Sequence, residues 1–128
     1  VEDGAIINMR ALGRRPDDDP DPLVSIRFWT MQGLVVSFCY REPKALEPVI
    51  GQFLTGQIAD PGDLLTAFAV ETTDELDRQV AELGDRLDII EARVDAESAR
   101  STRRRVSRIR AEAIGYRRFI SPQREAFE

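Results

Sequence analysis

Carboxylates are the reactive groups this chain has in quantity. Its 128 residues hold 23 Asp+Glu against 18 Lys+Arg, a formal net charge of −5, with no His and one Cys. Without His there is no imidazole for general acid–base work. Cys39, with no His to serve as its base, reads as a small buried hydrophobe rather than a nucleophile. A closed Cys/His zinc site needs more such ligands than the chain has. Any metal held here would be held by oxygens, which suits Mg²⁺ or Ca²⁺. Asp17, Asp18, Asp19 and Asp21 lack the glycine and distal glutamate of an EF-hand loop, so they read as a solvated loop. Arg103, Arg104, Arg105, Arg108 and Arg110 could grip a phosphate backbone, but nucleic-acid binders carry a basic domain and this one is acidic. There is no glycine-rich phosphate loop and no nucleophile elbow. The chain is expected not to be an enzyme: no catalytic residue is assigned, no cofactor is required, and no metal site can be placed.

These side chains need elements to position them, and their charge is segregated along the chain. Residues 1–57 carry net −2, residues 58–97 net −9 and residues 98–128 net +6. Adjacent segments of opposite sign attract if they fold side by side. The first part reads as strands, because apolar, β-branched and aromatic residues alternate with period two. Residues 4–12 (GAIINMRAL) form one. In residues 23–31 (LVSIRFWTM), Val24, Ile26 and Phe28 share a face and Ser25, Arg27 and Trp29 the other. In residues 34–41 (LVVSFCYR), Leu34, Val36, Phe38 and Tyr40 lie together. Gln32 and Gly33 make a two-residue hairpin gap, and the proline- and aspartate-rich residues 13–22 an exposed loop.

The rest reads as helices. Residues 43–57 (PKALEPVIGQFLTGQ) place Leu46, Val49, Ile50, Phe53 and Leu54 at helical spacing, weakened by Pro48 and Gly51. Asp60 or Asp63 caps a long helix. Its seam runs Leu65, Phe68, Thr72, Leu76, Val80, Leu83, Leu87, Ile90, Val94 in steps of three and four. At 1.5 Å per residue this is a rod of about 50 Å, and its seam requires a partner. Residues 95–100 are a turn region, with Ser98 as the next cap. A second stripe follows: Thr102, Val106, Ile109, Ala113, Tyr116, Ile120. Short connections make such helices antiparallel, which sets the acidic helix against the basic one. Pro122 is expected to kink or break the second helix, having no amide to donate. The fold class is α+β: a small antiparallel-containing sheet followed by long antiparallel helices. Residues 1–128 are expected to form a single domain, with sheet and short helix in 1–57 and an acidic/basic helical hairpin in 58–128. No run nears the roughly 20 apolar residues of a membrane span. Opening on Val rather than Met suggests an excised piece.

The order of elements and three stretches resemble a known family: residues 4–12 with the polar loop and 23–29, the acidic helix over 74–91, and residues 116–125 (YRRFISPQRE), an arginine-bearing helix interrupted by proline. The chain resembles the cytoplasmic domain of CorA-type divalent cation transporters, and within them the zinc-transporter branch called ZntB. The resemblance implies a piece of a homopentameric transporter that acts on Mg²⁺ or Zn²⁺, on the cytoplasmic side of the inner membrane, joined to the membrane through a C-terminal segment beyond residue 128. The family's Gly-Met-Asn pore signature is absent, so no ion-selecting residue is carried over. The expected role is a non-catalytic regulatory and assembly domain whose acids bind divalent cations weakly. The alternatives are a helical-hairpin self-association module and an arginine-rich nucleic-acid-binding domain; binding of nucleic acid is not expected.

Overall fold

Three strands come first and three helices follow: β1 (Ala5–Leu12), β2 (Leu23–Met31), β3 (Leu34–Cys39), α1 (Leu46–Leu54), α2 (Pro61–Glu91) and α3 (Ala99–Phe127). The computed structural model describes residues 4–14, 22–93 and 99–127, with side chains as far as Glu125. The expected α+β class is what forms. The aspartate loop and the expected turn and cap at 95–98 lie outside the described residues. The chain divides into two units, Val1–Leu76 and Asp77–Glu128, so α2 contributes to both.

In the first unit β1–β2–β3 form an antiparallel meander. Met31 pairs with Leu34 across Gln32 and Gly33. Gly33 takes φ of +70°, a conformation that costs glycine nothing and other residues a steric clash. Alternation puts Met9 and Ala11 of β1 and Ile26 and Phe28 of β2 on one face, where they join Ala45, Val49, Ile58 and Phe68 in a buried cluster. Phe28 and Phe68 meet edge to face, ring centroids 5.1 Å apart at 70°, an arrangement that favours aromatic quadrupoles.

The strand β3 ends at Cys39, short of the expected residue 41. Cys39 is half-buried against the core cluster, as a small hydrophobe should be. Leu34, Val36 and Phe38 do share a face, but it is the face turned from the core, Phe38 being 71% exposed; Tyr40, expected with them, lies past the end of the strand and is 95% exposed.

The helix α1 is shorter than the 43–57 expected. Residues 43–45 are taken up in closing the chain onto the end of β1: Pro43 bridges Gly13, and the Lys44 amide donates to the Leu12 carbonyl at 2.8 Å. Pro48 sits in the first turn, where amides have no helical partner to lose. The helix stops at Gly56, φ +75°. There the Gly56 amide donates to Phe53 and the Gln57 amide to Gln52, both at 3.0 Å, the bonds of a Schellman motif. Gln52 then donates to Glu71 at 2.8 Å, and Lys44 pairs with Glu75 at 2.9 Å, fixing α1 and its approach against the start of α2.

The start of α2 is a reciprocal cap. The Asp63 amide donates to Asp60 Oδ1 at 2.9 Å, and Asp63 Oδ2 accepts from the Ala59 amide at 3.0 Å. Pro61 takes the first helical position, where its missing N–H costs nothing. The helix runs 31 residues, about 46 Å.

The second unit pairs the C-terminal part of α2 with α3. Leu83, Ile90, Ile109 and Tyr116 are buried and carry out the expected seam. Contrary to expectation, α3 does not break at Pro122 but continues to Phe127. Proline removes one amide donor and leaves one carbonyl, on residue 118, without its helical bond. Pro122 and Arg118 are both exposed, so water can serve that carbonyl.

Candidate functional site

The charged groups of the second unit are placed by helical periodicity. Arg86 Nη1 donates to both carboxylate oxygens of Glu112, at 3.2 and 3.0 Å. Arg86, Ile89 and Ile90 line a groove of about 210 Å³ together with Arg105, Arg108 and Ile109. Residue numbers facing each other across the helices therefore fall on one side as they rise on the other: α2 and α3 are antiparallel. Tyr116 is buried beside this pair. Desolvation, reinforced by Glu112 and Glu82 and opposed by Arg86, pushes its hydroxyl above the usual tyrosine range.

The polarity of the Arg86–Glu112 pair corrects an expectation. Attraction between an acidic and a basic helix suggests acids of α2 meeting arginines of α3. Here a basic residue of the acidic helix meets an acid of the basic helix. At 100° per residue, Asp77, Asp85 and Asp88 lie on the side of α2 turned from Leu83 and Ile90 and Glu91 on its flank, and all are exposed. Arg103, Arg110 and Arg117 recur every seven residues on the flank of α3, roughly a quarter to a third of a turn from Ile109 and Tyr116, and they too are exposed. The seam sets this, because burying Leu83 and Ile90 leaves only the outer side of α2 for its carboxylates.

Of the residues 102–110 singled out as a phosphate-gripping run, Arg103, Arg104, Arg108 and Arg110 are exposed and Arg105 is half-buried. They circle the helix rather than converging on one surface. Among the described residues no group of three Asp, Glu or Cys side chains stands close enough to hold a metal ion. The acids of α2 form a distributed negative surface, not a coordination shell. Among the described residues no helix is long and apolar enough to cross a membrane.

The first unit offers apolar surfaces instead. A groove of about 600 Å³ is lined by Val35, Val49, Ile50, Phe53, Leu64 and Phe68 among others. On the other face of the sheet, Ile6, Trp29 and Val36 stand side by side across the three strands, and Ile6 is 65% exposed. Sequence reasoning identified neither surface, nor the roles of Arg86 and Glu112. The available signal for the latter was a base in an acidic segment and an acid in a basic one, each beside a seam position.

The family model described as CorA-like Mg2+ transporter protein matches residues 1–128. The zinc transport protein ZntB of Klebsiella pneumoniae subsp. pneumoniae is 30% identical over 99% of this chain and 39% of its own length. That of Cronobacter sakazakii is 30% identical over 98% of this chain and 38% of its own. The chain thus spans about two fifths of the curated relatives it matches. Among solved structures, the full-length CmaX protein superposes with a TM-score of 0.78 at 24% identity, over 99% of this chain and 39% of that one, a likeness of fold. With its whole length matched by the family model, this chain belongs to the CorA-like Mg2+ transporter protein family.

Proposed function

We propose that the chain is a regulatory and assembly domain of a divalent metal-ion transporter, on the cytoplasmic side, with no catalytic step of its own. Its cargo is Mg²⁺ or Zn²⁺, in keeping with the family description and the zinc transport proteins it resembles. It works within a homo-oligomer. The observation that carries this reading is the exposed carboxylate face of α2, within a segment of net −9, in a chain of this family. A face of like charges gathers divalent counter-ions and raises their local concentration. Carboxylates without a preformed shell bind such ions on the order of millimolar. Metal occupancy would be graded and salt-sensitive, which suits a sensor of ion supply.

The test is calorimetry of the chain with MgCl₂ and with ZnCl₂ at several NaCl concentrations. The expected result is heat at millimolar metal that fades with salt and is lost when Asp77, Asp85, Asp88 and Glu91 are changed to Asn or Gln. No heat from either metal, with tight salt-sensitive binding of duplex DNA instead, overturns the reading in favour of a nucleic-acid-binding domain.

A further inference from the structure

The groove beside the Arg86–Glu112 pair concentrates guanidinium groups. On α2, Arg86, Ile89 and Ile90 stand at i, i+3 and i+4, and on α3, Arg105, Arg108 and Ile109 repeat that spacing. Each triplet therefore lies along one flank of its helix. The antiparallel seam brings the two triplets together as the lining of one groove of about 210 Å³. Ile90 and Ile109 are buried, Arg86 and Arg105 half-buried, and Ile89 and Arg108 exposed. We propose that this groove binds a small organic phosphate: the guanidinium groups of Arg86, Arg105 and Arg108 take the phosphate oxygens, and the isoleucines take the apolar part of the attached group. This goes beyond the reading of the chain as a transporter domain and does not depend on it.

Charge favours an anion here. Three cations lining one groove repel one another, and Arg105 and Arg108, three residues apart on one helix, are a destabilising like-charge pair. An oxyanion between them turns that repulsion into attraction. Both bonds from Arg86 to Glu112 come from Nη1. The other nitrogens of that guanidinium are therefore not spent on Glu112, which holds the group from one end. Each guanidinium carries five N–H donors in a planar fork. A phosphate monoester brings three terminal oxygens and about −1.5 to −2 charges at neutral pH, and so suits three forks better than a carboxylate does. The Arg86 side chain is only 43% exposed and that of Glu112 30%, and partial burial strengthens charged hydrogen bonds.

Size and surroundings restrict the ligand. A groove of about 210 Å³ is smaller than the roughly 300 Å³ at which drug-sized pockets begin, so it suits a phosphate with a small attached group. A nucleic acid or an anionic membrane would bring many charges within a Debye length, about 8–10 Å, of a segment of net −9. A ligand that ends at the rim of the groove brings only its own.

The test is NMR titration of the chain, labelled at its isoleucine methyls, with phenyl phosphate and with sodium phosphate. Phenyl phosphate is expected to shift the methyls of Ile89, Ile90 and Ile109 through its ring. It should bind about tenfold more tightly than inorganic phosphate, because the ring leaves water, and raise the melting temperature by tying α2 to α3. Arg105→Ala with Arg108→Ala is expected to weaken binding by about tenfold or more. Arg103→Ala with Arg110→Ala removes the same charge outside the groove and should change binding by less than about twofold. Circular dichroism checks that both double variants are folded. If the first is not, Arg108→Gln alone, at an exposed position, carries the same expectation of weaker binding. Equal weakening by the two double variants, or methyl shifts that spare Ile89, Ile90 and Ile109, overturns the site in favour of diffuse charge attraction. Absence of binding up to about 10 mM phenyl phosphate overturns it outright. Co-sedimentation with vesicles of phosphatidylcholine and phosphatidate in equal parts, by a chain that ignores both soluble phosphates, overturns it in favour of a membrane headgroup. The metal-binding reading is judged by its own calorimetry and is untouched by any of these results.

Discussion

The two units of this chain are built on different physics. The sheet unit is a packed core: Phe68, Ile26 and Ala11 have no exposed surface, and Phe28 has 1%. The helix-pair unit is, among the described residues, a single seam of four buried side chains, Leu83, Ile90, Ile109 and Tyr116, with charge over the rest of its surface. Burial scales with the apolar area removed from water, so the sheet unit holds the greater share of stability per residue. The helix pair devotes most of its surface to charge, whose net contribution to folding is small but whose contribution to partner choice is large. Where a domain places its core and where it places its charge can thus be separate decisions, and here the proposed ion binding rests on the second.

Substitutions can break this contrast. The largest effect is expected at Phe68→Ala, which empties the centre of the core and removes the ring contact with Phe28. A loss of about 3–5 kcal/mol is expected in urea unfolding. Leu83→Ala, in the thinner seam, should cost about 2–3 kcal/mol, because a site with one open side relaxes more easily. Equal losses at the two positions would mean that the units do not differ as described. Asp60→Ala removes the cap of α2 and should cost about 1 kcal/mol. Thr72→Val sharpens the comparison from the other direction. The Thr72 hydroxyl is buried with no hydrogen-bond partner among the described residues, so an isosteric valine is expected to stabilise by about 1 kcal/mol. The smallest effect is at Tyr116→Phe. The raised hydroxyl pKa means that the folded state holds this proton more tightly than the unfolded chain. Its stabilising contribution is complete below about pH 10, the unfolded value, and is lost as pH climbs through the folded one. The phenylalanine variant should therefore match the wild type in thermal melts at neutral pH and lose less stability at pH 11.

Much of the architecture was legible in the residues. The bounds of β2, the Gln32–Gly33 hairpin, the cap at Asp60 and the seam through Leu83 and Ile90 follow from local chemistry and period. What was not legible depended on knowing which side of an element is covered. Alternation groups Leu34, Val36, Phe38 and Tyr40, but a period of two says nothing about which group meets the core. The core took Val35 and Cys39 because Ile26 and Phe28 of the paired strand point that way. Likewise, net charges of −9 and +6 foretold attraction between the helices, but the seam turned those charges outward and left Arg86 and Glu112 to cross it. The continuation of α3 through Pro122 was hidden because the cost of proline depends on whether water reaches the abandoned carbonyl.

The position of β3 at the rim of the sheet has a practical corollary. Its sequence, Leu34 to Cys39, contains no proline, lysine or other charged residue to discourage a stranger from adding on. One flank of backbone amides and a row of greasy side chains are displayed together, the template from which cross-β growth starts. Storage of the chain at high concentration should yield thioflavin-positive precipitate, and Phe38→Lys should delay it without altering the melting temperature.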